Sequence, residues 1–270
     1  MITFLFWNLN DRPIAELVAR LTKEHDVDVL ILAECSISIA DILNALNQGR
    51  GTGYHFSEGN CERITILTKF PPEFIGKVKE GDRFTIRHIA LPGIDSFLVC
   101  AVHMASKAHS TTESQAMECT VLSREIQEAE KVAGHSRTIL VGDLNMNPFE
   151  DGVVSAAGLN AVMTRQIALK RERTVQARRY PFFYNPMWGH FGDRTEAPAG
   201  SYYYSRSEHV SYYWNIFDQV LVRPELLPEF DTTSVKIIAG LEPESLLSPR
   251  GVPDRKNASD HLPILFKLRL

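Results

Sequence analysis

The residues best suited to chemistry in this chain stand at the borders of its apolar runs. Thr138-Ile-Leu-Val is followed by Gly142, then by Asp143, Asn145 and Asn147, with Pro148 behind them. A buried strand that stops in a carboxylate and short amides places hard oxygen ligands and hydrogen-bond donors at the mouth of a fold. Such groups suit Mg²⁺ and phosphate oxygens. They are also what an Asx-rich turn is made of. Recurrence separates the two readings. Asn8 and Asn10 follow the run 2–7, Glu34 follows 27–33 and His103 follows 97–102. Asp218 in FDQVLV and Asp260-His261 in SDHLPI instead sit at or near strand starts. In a sheet with antiparallel pairs the end of one strand lies beside the start of its neighbour, so all of these side chains can share one edge. A carboxylate in mid-strand would be costly to bury, and loops at the edge of a rigid scaffold commonly carry function.

The elements that must hold these residues follow from hydrophobic spacing. The runs 2–7 and 27–33 read as strands, the second nearly continuous and so covered on both faces. Between them Asp11 and Pro13 open a helix with Ile14, Leu17, Val18 and Leu21 on one face, and a second helix carries Ile39, Ile42, Leu43 and Leu46. Short β candidates at 54–57, 64–68, 74–78, 84–91 and 97–102 are separated by glycine, proline and charged turns, which predicts antiparallel pairing. Thr112-Glu-Ser-Gln115 reads as a capping box for a long helix closed by Gly134. After the basic stretch 160–179, strands are expected at 202–205, 216–222, 235–239 and 262–268. With 270 residues and no linker, repeat or low-complexity tract, the chain reads as one domain over 1–270. Its class is α+β, or a layered α/β sandwich.

FWNLN, ILAE, AVHMAS, GDLNMNP, FDQVLV and SDHLPI, in this order, resemble the endonuclease/exonuclease/phosphatase (deoxyribonuclease I-like) superfamily. The resemblance runs from Asn8 to His261. It implies a four-layer sandwich of two packed mixed β-sheets flanked by helices, and phosphate-ester hydrolysis with Mg²⁺ or Mn²⁺. By the same resemblance Glu34 is the main metal carboxylate with Asn8 beside it, and Asp260 is a metal ligand or a support. Asp143 orients or deprotonates the attacking water, Asn145 binds phosphate, His261 contacts the scissile phosphate and Asp218 holds that histidine. His103 matches the phosphate-contacting histidine of the deoxyribonuclease I and sphingomyelinase branches. Ala33 stands where many relatives have Gln, and Asn10 where several have Asp, which leaves Asn10 a weaker ligand or a substrate contact. The Trp-Cys-Asp-Arg segment of inositol 5-phosphatases is missing.

Composition bounds the rest. Apolar residues make up 44% and charged residues 23%, ordinary for a globular protein. A net charge of −4 gives no global attraction to a polyanion, so nucleic-acid binding must come from a local patch. The cluster Arg165, Lys170, Arg171, Arg173, Arg178 and Arg179 is the candidate patch, with Arg171 and Arg173 as phosphate contacts and Tyr180 to Trp188 available for stacking. The competing reading is a solvated helix face above core aromatics. Four cysteines without a close pair argue against zinc or disulfides and fit a reducing compartment. No apolar run approaches the ~20 residues of a membrane span, and the N-terminus lacks a basic n-region, so a cytoplasmic protein without membrane insertion is expected. The expected function is metal-dependent phosphodiester hydrolysis, with DNA or RNA as substrate. The alternatives are a small-molecule or lipid phosphoesterase, and a silent binding domain of the same fold.

Overall fold

The computed structural model describes residues 1–49, 53–192, 198–207 and 209–270. Two mixed β-sheets pack face to face with helices outside them. The six-stranded sheet centres on the parallel pair Ile2–Asn8 and Val29–Ala33, with Ile264–Leu268 and Phe230–Ile237 beyond one and Ile64–Thr68 beyond the other. The seven-stranded sheet centres on Phe97–His103 parallel to Thr138–Asp143, the latter flanked by antiparallel Asp218–Val222.

Alternation of side chains explains the layering. Val99, Ala101, Ile139, Val141, Val220 and Val222 turn toward the six-stranded sheet and join one core. Their neighbours Leu98, Cys100, Val102, Leu140 and Leu221 turn outward onto Cys119, Leu122 and Ile126 of the helix Thr112–Ala133 and form a second core. Strands covered on both faces must be apolar throughout, which is why these runs looked continuous in sequence. Phe4 anchors the layer between the sheets, stacked on Phe266 at 4.9 Å and edge-on to Phe97 at 6.3 Å. Among the described residues no helix is long and apolar enough to cross a membrane.

Three local expectations are corrected. The long helix is capped by Thr111, whose hydroxyl accepts from the Ser114 amide, so the cap lies one residue before the expected box. The first helix, Ala15–Glu24, has Ile14 at its N-cap with no side-chain bond, so Asp11 does not cap it. The basic stretch 160–179 is not a helical face. A short helix Arg165–Ala168 ends before Arg171, whose φ of +71° leaves the helical region, and a hairpin of Glu172–Val175 with Arg178–Pro181 follows. Thr174, Val175 and Tyr180 favour a strand, and the run from Glu172 to Arg179, with only Val175 and Ala177 apolar, offers no apolar stripe to bury a helix.

Candidate active site

Register brings the polar residues together. In the seven-stranded sheet His103 is the partner of Asp143 on one side, and Asp218 is its partner on the other. The end of two strands and the start of a third thus form one row. In the facing sheet Asn8 pairs with Ala33, so Glu34 follows directly beside it. Asp260 and His261 arrive from the turn before Ile264–Leu268. His261 is fixed at both main-chain ends: its carbonyl accepts from Trp7 Nε1 at 2.9 Å, and its amide donates to Ser259 Oγ at 3.1 Å.

The turns that aim these groups are unusual. Asn10, Glu34 and Asn145 all have φ between +45° and +50°. Asn tolerates this conformation; for Glu34 it is strained, a feature that clusters at functional sites. Gly142 is required on steric grounds, because a Cβ there would lie 2.0 Å from the Val102 carbonyl oxygen of the paired strand.

The side chains form an alternating row of acids and imidazoles. Asp218 Oδ2 bonds His261 Nδ1 at 2.8 Å, and His261 Nε2 lies 3.9 Å from Asp143 Oδ2. On the other side of Asp143, His103 Nε2 is 3.8 Å away and bonds Glu34 Oε1 at 3.1 Å. Asp143 also accepts from Asn8 Nδ2 at 3.0 Å and from the Asn145 amide at 2.7 Å. Burial works against charge on His261, but the neighbouring Asp218 and Asp143 outweigh it and push the imidazole up to about 10, so it carries its proton at neutrality. Burial raises the Asp143 carboxyl above its ordinary value, against the pull of His261. The hydrogen bond from His103 holds the Glu34 carboxyl below the usual carboxylate range, against the effect of burial.

A pocket of about 730 Å³ opens onto this row and is lined by Asn8, Asn10, Glu34, Asp143, Asn145, Asp260 and His261 among others. Its donors are oxygens of carboxylates and amides, the set a hard divalent cation prefers. The cluster Asp143, Asp218 and His261, whose ligand atoms lie within 4.8 Å of one another, fits a metal less well. One nitrogen of His261 is committed to Asp218 and the ring is protonated, and an imidazolium has no lone pair for a metal. Glu34 is different: its side chain is 33% exposed and faces the pocket. Asp260 also faces it, with Arg255 Nη2 at 3.3 Å from its Oδ2.

Two expectations fail geometrically. Arg171 and Arg173 do not reach the pocket. Their hairpin leads into Phe183–Tyr184, where Tyr184 pairs with Val222, at the end of its strand opposite Asp218. The main-chain carbonyls of Pro181 and Phe182 accept from Arg223, which confirms that the hairpin rises from the far end. Asn147, though part of the GDLN turn, is spent on structure: it donates to Asn215 Oδ1 at 2.9 Å and accepts from the Ile216 amide at 2.9 Å. Conversely, the pocket includes Lys107, Arg206 and Arg255, which sequence reasoning missed. Lone cations in polar loops carry no periodic signal; only the closeness of Lys107 to AVHMAS and of Arg255 to SDHLPI hinted at two of them.

No curated protein matches the chain. Among solved structures, an AP endonuclease from Archaeoglobus fulgidus superposes with a TM-score of 0.58 at 17% identity, over 100% of both chains. A 3′ phosphatase, NExo, from Neisseria, bound to product DNA hairpin, gives 0.59 at 15% identity over 99% of both. A truncated TDP2 from Caenorhabditis elegans gives 0.57 at 13% identity, over 98% of this chain and 97% of that one. At such identities the likeness is one of fold, and the fold is the deoxyribonuclease I-like sandwich. The profile of the Endonuclease/Exonuclease/phosphatase family matches residues 5–261, which takes in every residue of the acid–imidazole row, and the chain belongs to that family.

Proposed function

We propose that this protein hydrolyses phosphodiester bonds in nucleic acid with the help of Mg²⁺ or Mn²⁺. The observation that carries the reading is the row Asp218–His261–Asp143–His103–Glu34, in which a protonated imidazole and a buried carboxylate flank the same space. Glu34 and Asn8 would hold the cation, with Asp260 as a further ligand or support. Bound there, it supplies positive charge to the phosphate oxygens and the leaving oxygen.

The chain's own groups do the rest. Asp143, whose proton affinity is raised by burial, accepts a proton from the attacking water while the water oxygen bonds to phosphorus. The bond from phosphorus to the leaving oxygen breaks, and that oxygen departs as an alkoxide that takes its proton from solvent. His261 stays protonated and stabilises the negative charge that develops on the phosphoryl oxygens, because Asp218 holds both its proton and its orientation. Asn145 and His103 add hydrogen bonds to those oxygens. Asn145 is aimed by two bonds, its amide to Asp143 and its side-chain nitrogen to the Met104 carbonyl at 3.1 Å.

Nucleic acid is favoured as the substrate class by the cations Lys107, Arg206 and Arg255 placed around the pocket of a chain of net charge −4, Lys107 pairing with Glu150 and Arg255 with Asp260. The descriptions of the Neisseria and Archaeoglobus proteins name a DNA product and an AP endonuclease, which supports the same reading. The test is hydrolysis of single- and double-stranded DNA, RNA, bis(p-nitrophenyl) phosphate, an inositol phosphate and sphingomyelin with Mg²⁺, Mn²⁺ or EDTA. Cutting of nucleic acid that needs metal and is abolished in folded Asp143→Asn is expected. Preference for the inositol phosphate or the lipid would overturn the substrate class, and metal-independent turnover would overturn the mechanism.

A further inference from the structure

We infer that the pocket takes an unpaired nucleobase, stacked on Tyr204, next to the phosphate held by His261. This rests on the proposed hydrolysis of nucleic acid and narrows it to single-stranded or frayed substrate.

The strand Tyr202–Tyr204 pairs with Tyr213–Asn215 as a two-stranded ribbon beside the site. Alternation along it sends Tyr202 and Tyr204 to the pocket side, while Tyr203 packs edge-on against Trp214 at 5.4 Å. Tyr202 is tied to the reacting end in two ways. Its main chain forms a β-bridge with His261, and its ring lies 4.6 Å from the imidazole with Phe217 behind it at 5.2 Å. That ring is half-buried and is explained by packing. Tyr204 is not. It continues the series at 6.5 Å from Tyr202 with planes 18° apart, it is 39% exposed, and the Arg206 guanidinium lies 5.3 Å from its ring.

An exposed aromatic ring two ring-to-ring steps from the His261 imidazole, with a guanidinium over its ring, matches one ligand chemistry: a flat π-system joined to a phosphate. Bases stack on tyrosine whatever their sequence, and arginine adds a cation–π contribution. Within a duplex both faces of a base are covered by its neighbours, so only an unpaired one can use this surface. A lipid or an inositol headgroup has no π-face to offer.

The test uses one single-stranded oligonucleotide in two forms. In one the nucleotide beside the cleaved phosphate carries its base; in the other it is a base-free tetrahydrofuran residue. Binding with EDTA present is followed by anisotropy, and cleavage with Mg²⁺ or Mn²⁺ by kcat/KM. The wild-type protein is expected to favour the base-bearing strand roughly ten- to a hundredfold in both, the range one base–aromatic stack supports. Tyr204→Leu, which keeps bulk without a π-face, and Tyr204→Ala should bring the ratio close to one, and Tyr204→Trp should restore it. Equal handling of both strands by the wild type, or an undiminished ratio in folded Tyr204→Leu, overturns the inference. Base-dependent binding without cleavage would overturn the proposed hydrolysis and leave the subsite standing.

Discussion

Asn8 and Asp143 belong to different sheets, yet the Asn8 amide donates to Asp143 Oδ2 at 3.0 Å in a site where both residues are at most 2% exposed. This bond is a polar seam at the mouth of an otherwise apolar interface. Removing a donor from a buried carboxylate costs about 1–3 kcal/mol. Asn8→Ala should therefore lose that much stability in urea denaturation, and its turnover should fall further than its unfolded fraction accounts for. Unchanged stability would mean that Asp143 is held from its own sheet alone.

The pairing of Asp218 with His261 makes a pH prediction. The folded imidazole titrates near 10, above its ordinary value of 6.5. A raised pKa means that the pair's contribution to stability is complete below about 6.5 and is lost as pH climbs through about 10. NMR titration of His261 in EDTA-treated protein should find the proton retained well above neutrality, and Asp218→Asn should bring the midpoint down. A midpoint near 6.5 in the unmodified protein would contradict the buried ion pair.

Gly142→Ala should fail for a reason unrelated to charge. The added Cβ would meet the Val102 carbonyl oxygen at 2.0 Å, within the parallel pair that carries His103 and Asp143. Forced overpacking of this kind costs up to about 3 kcal/mol, occasionally more. A lowered melting temperature together with lost turnover is the expected result, and a wild-type melting curve would mean that the two strands part easily.

The basic hairpin offers a control of opposite sign. Arg173 Nη2 donates to the Val154 carbonyl at 3.1 Å, and the hairpin rises at the end of the sheet away from Asp218. Charge reversal at Arg171 and Arg173 should leave the salt dependence of binding a short single strand as it is, since neither neutralises a phosphate in the pocket. A flattened slope would bring the hairpin back into the path of the substrate.

Much of this was legible in the residues. The run Ile64–Thr68 and the helix face of Ile39, Ile42 and Leu46 fall where spacing puts them, because a two-sheet sandwich asks for nothing beyond buried apolar periodicity. The convergence of Asp143 and Asp218 was readable as well, since an acid ending one strand and an acid starting its antiparallel neighbour must be adjacent. Arg171 to Arg179 misled because charge alone does not tell a helix from a ribbon; Thr174, Val175 and Tyr180 were the better guide. The tyrosines of Tyr202–Tyr204 carry no such guide. Tyr202 and Tyr203 are both partly buried, and only three-dimensional placement tells the ring beside His261 from the one beside Trp214.

The indole of Trp7 grips the carbonyl of His261 across a sequence separation of 254 residues. A contact so distant in the chain is expected to form late, after faster and more local pairings have closed the intervening loops. The Trp7 bond to His261 therefore depends on the docking of Ile264–Leu268 beside Ile2–Asn8. A chain shortened before that strand would keep Glu34, Asp143 and Asp218 but leave His261 without the strand that follows it.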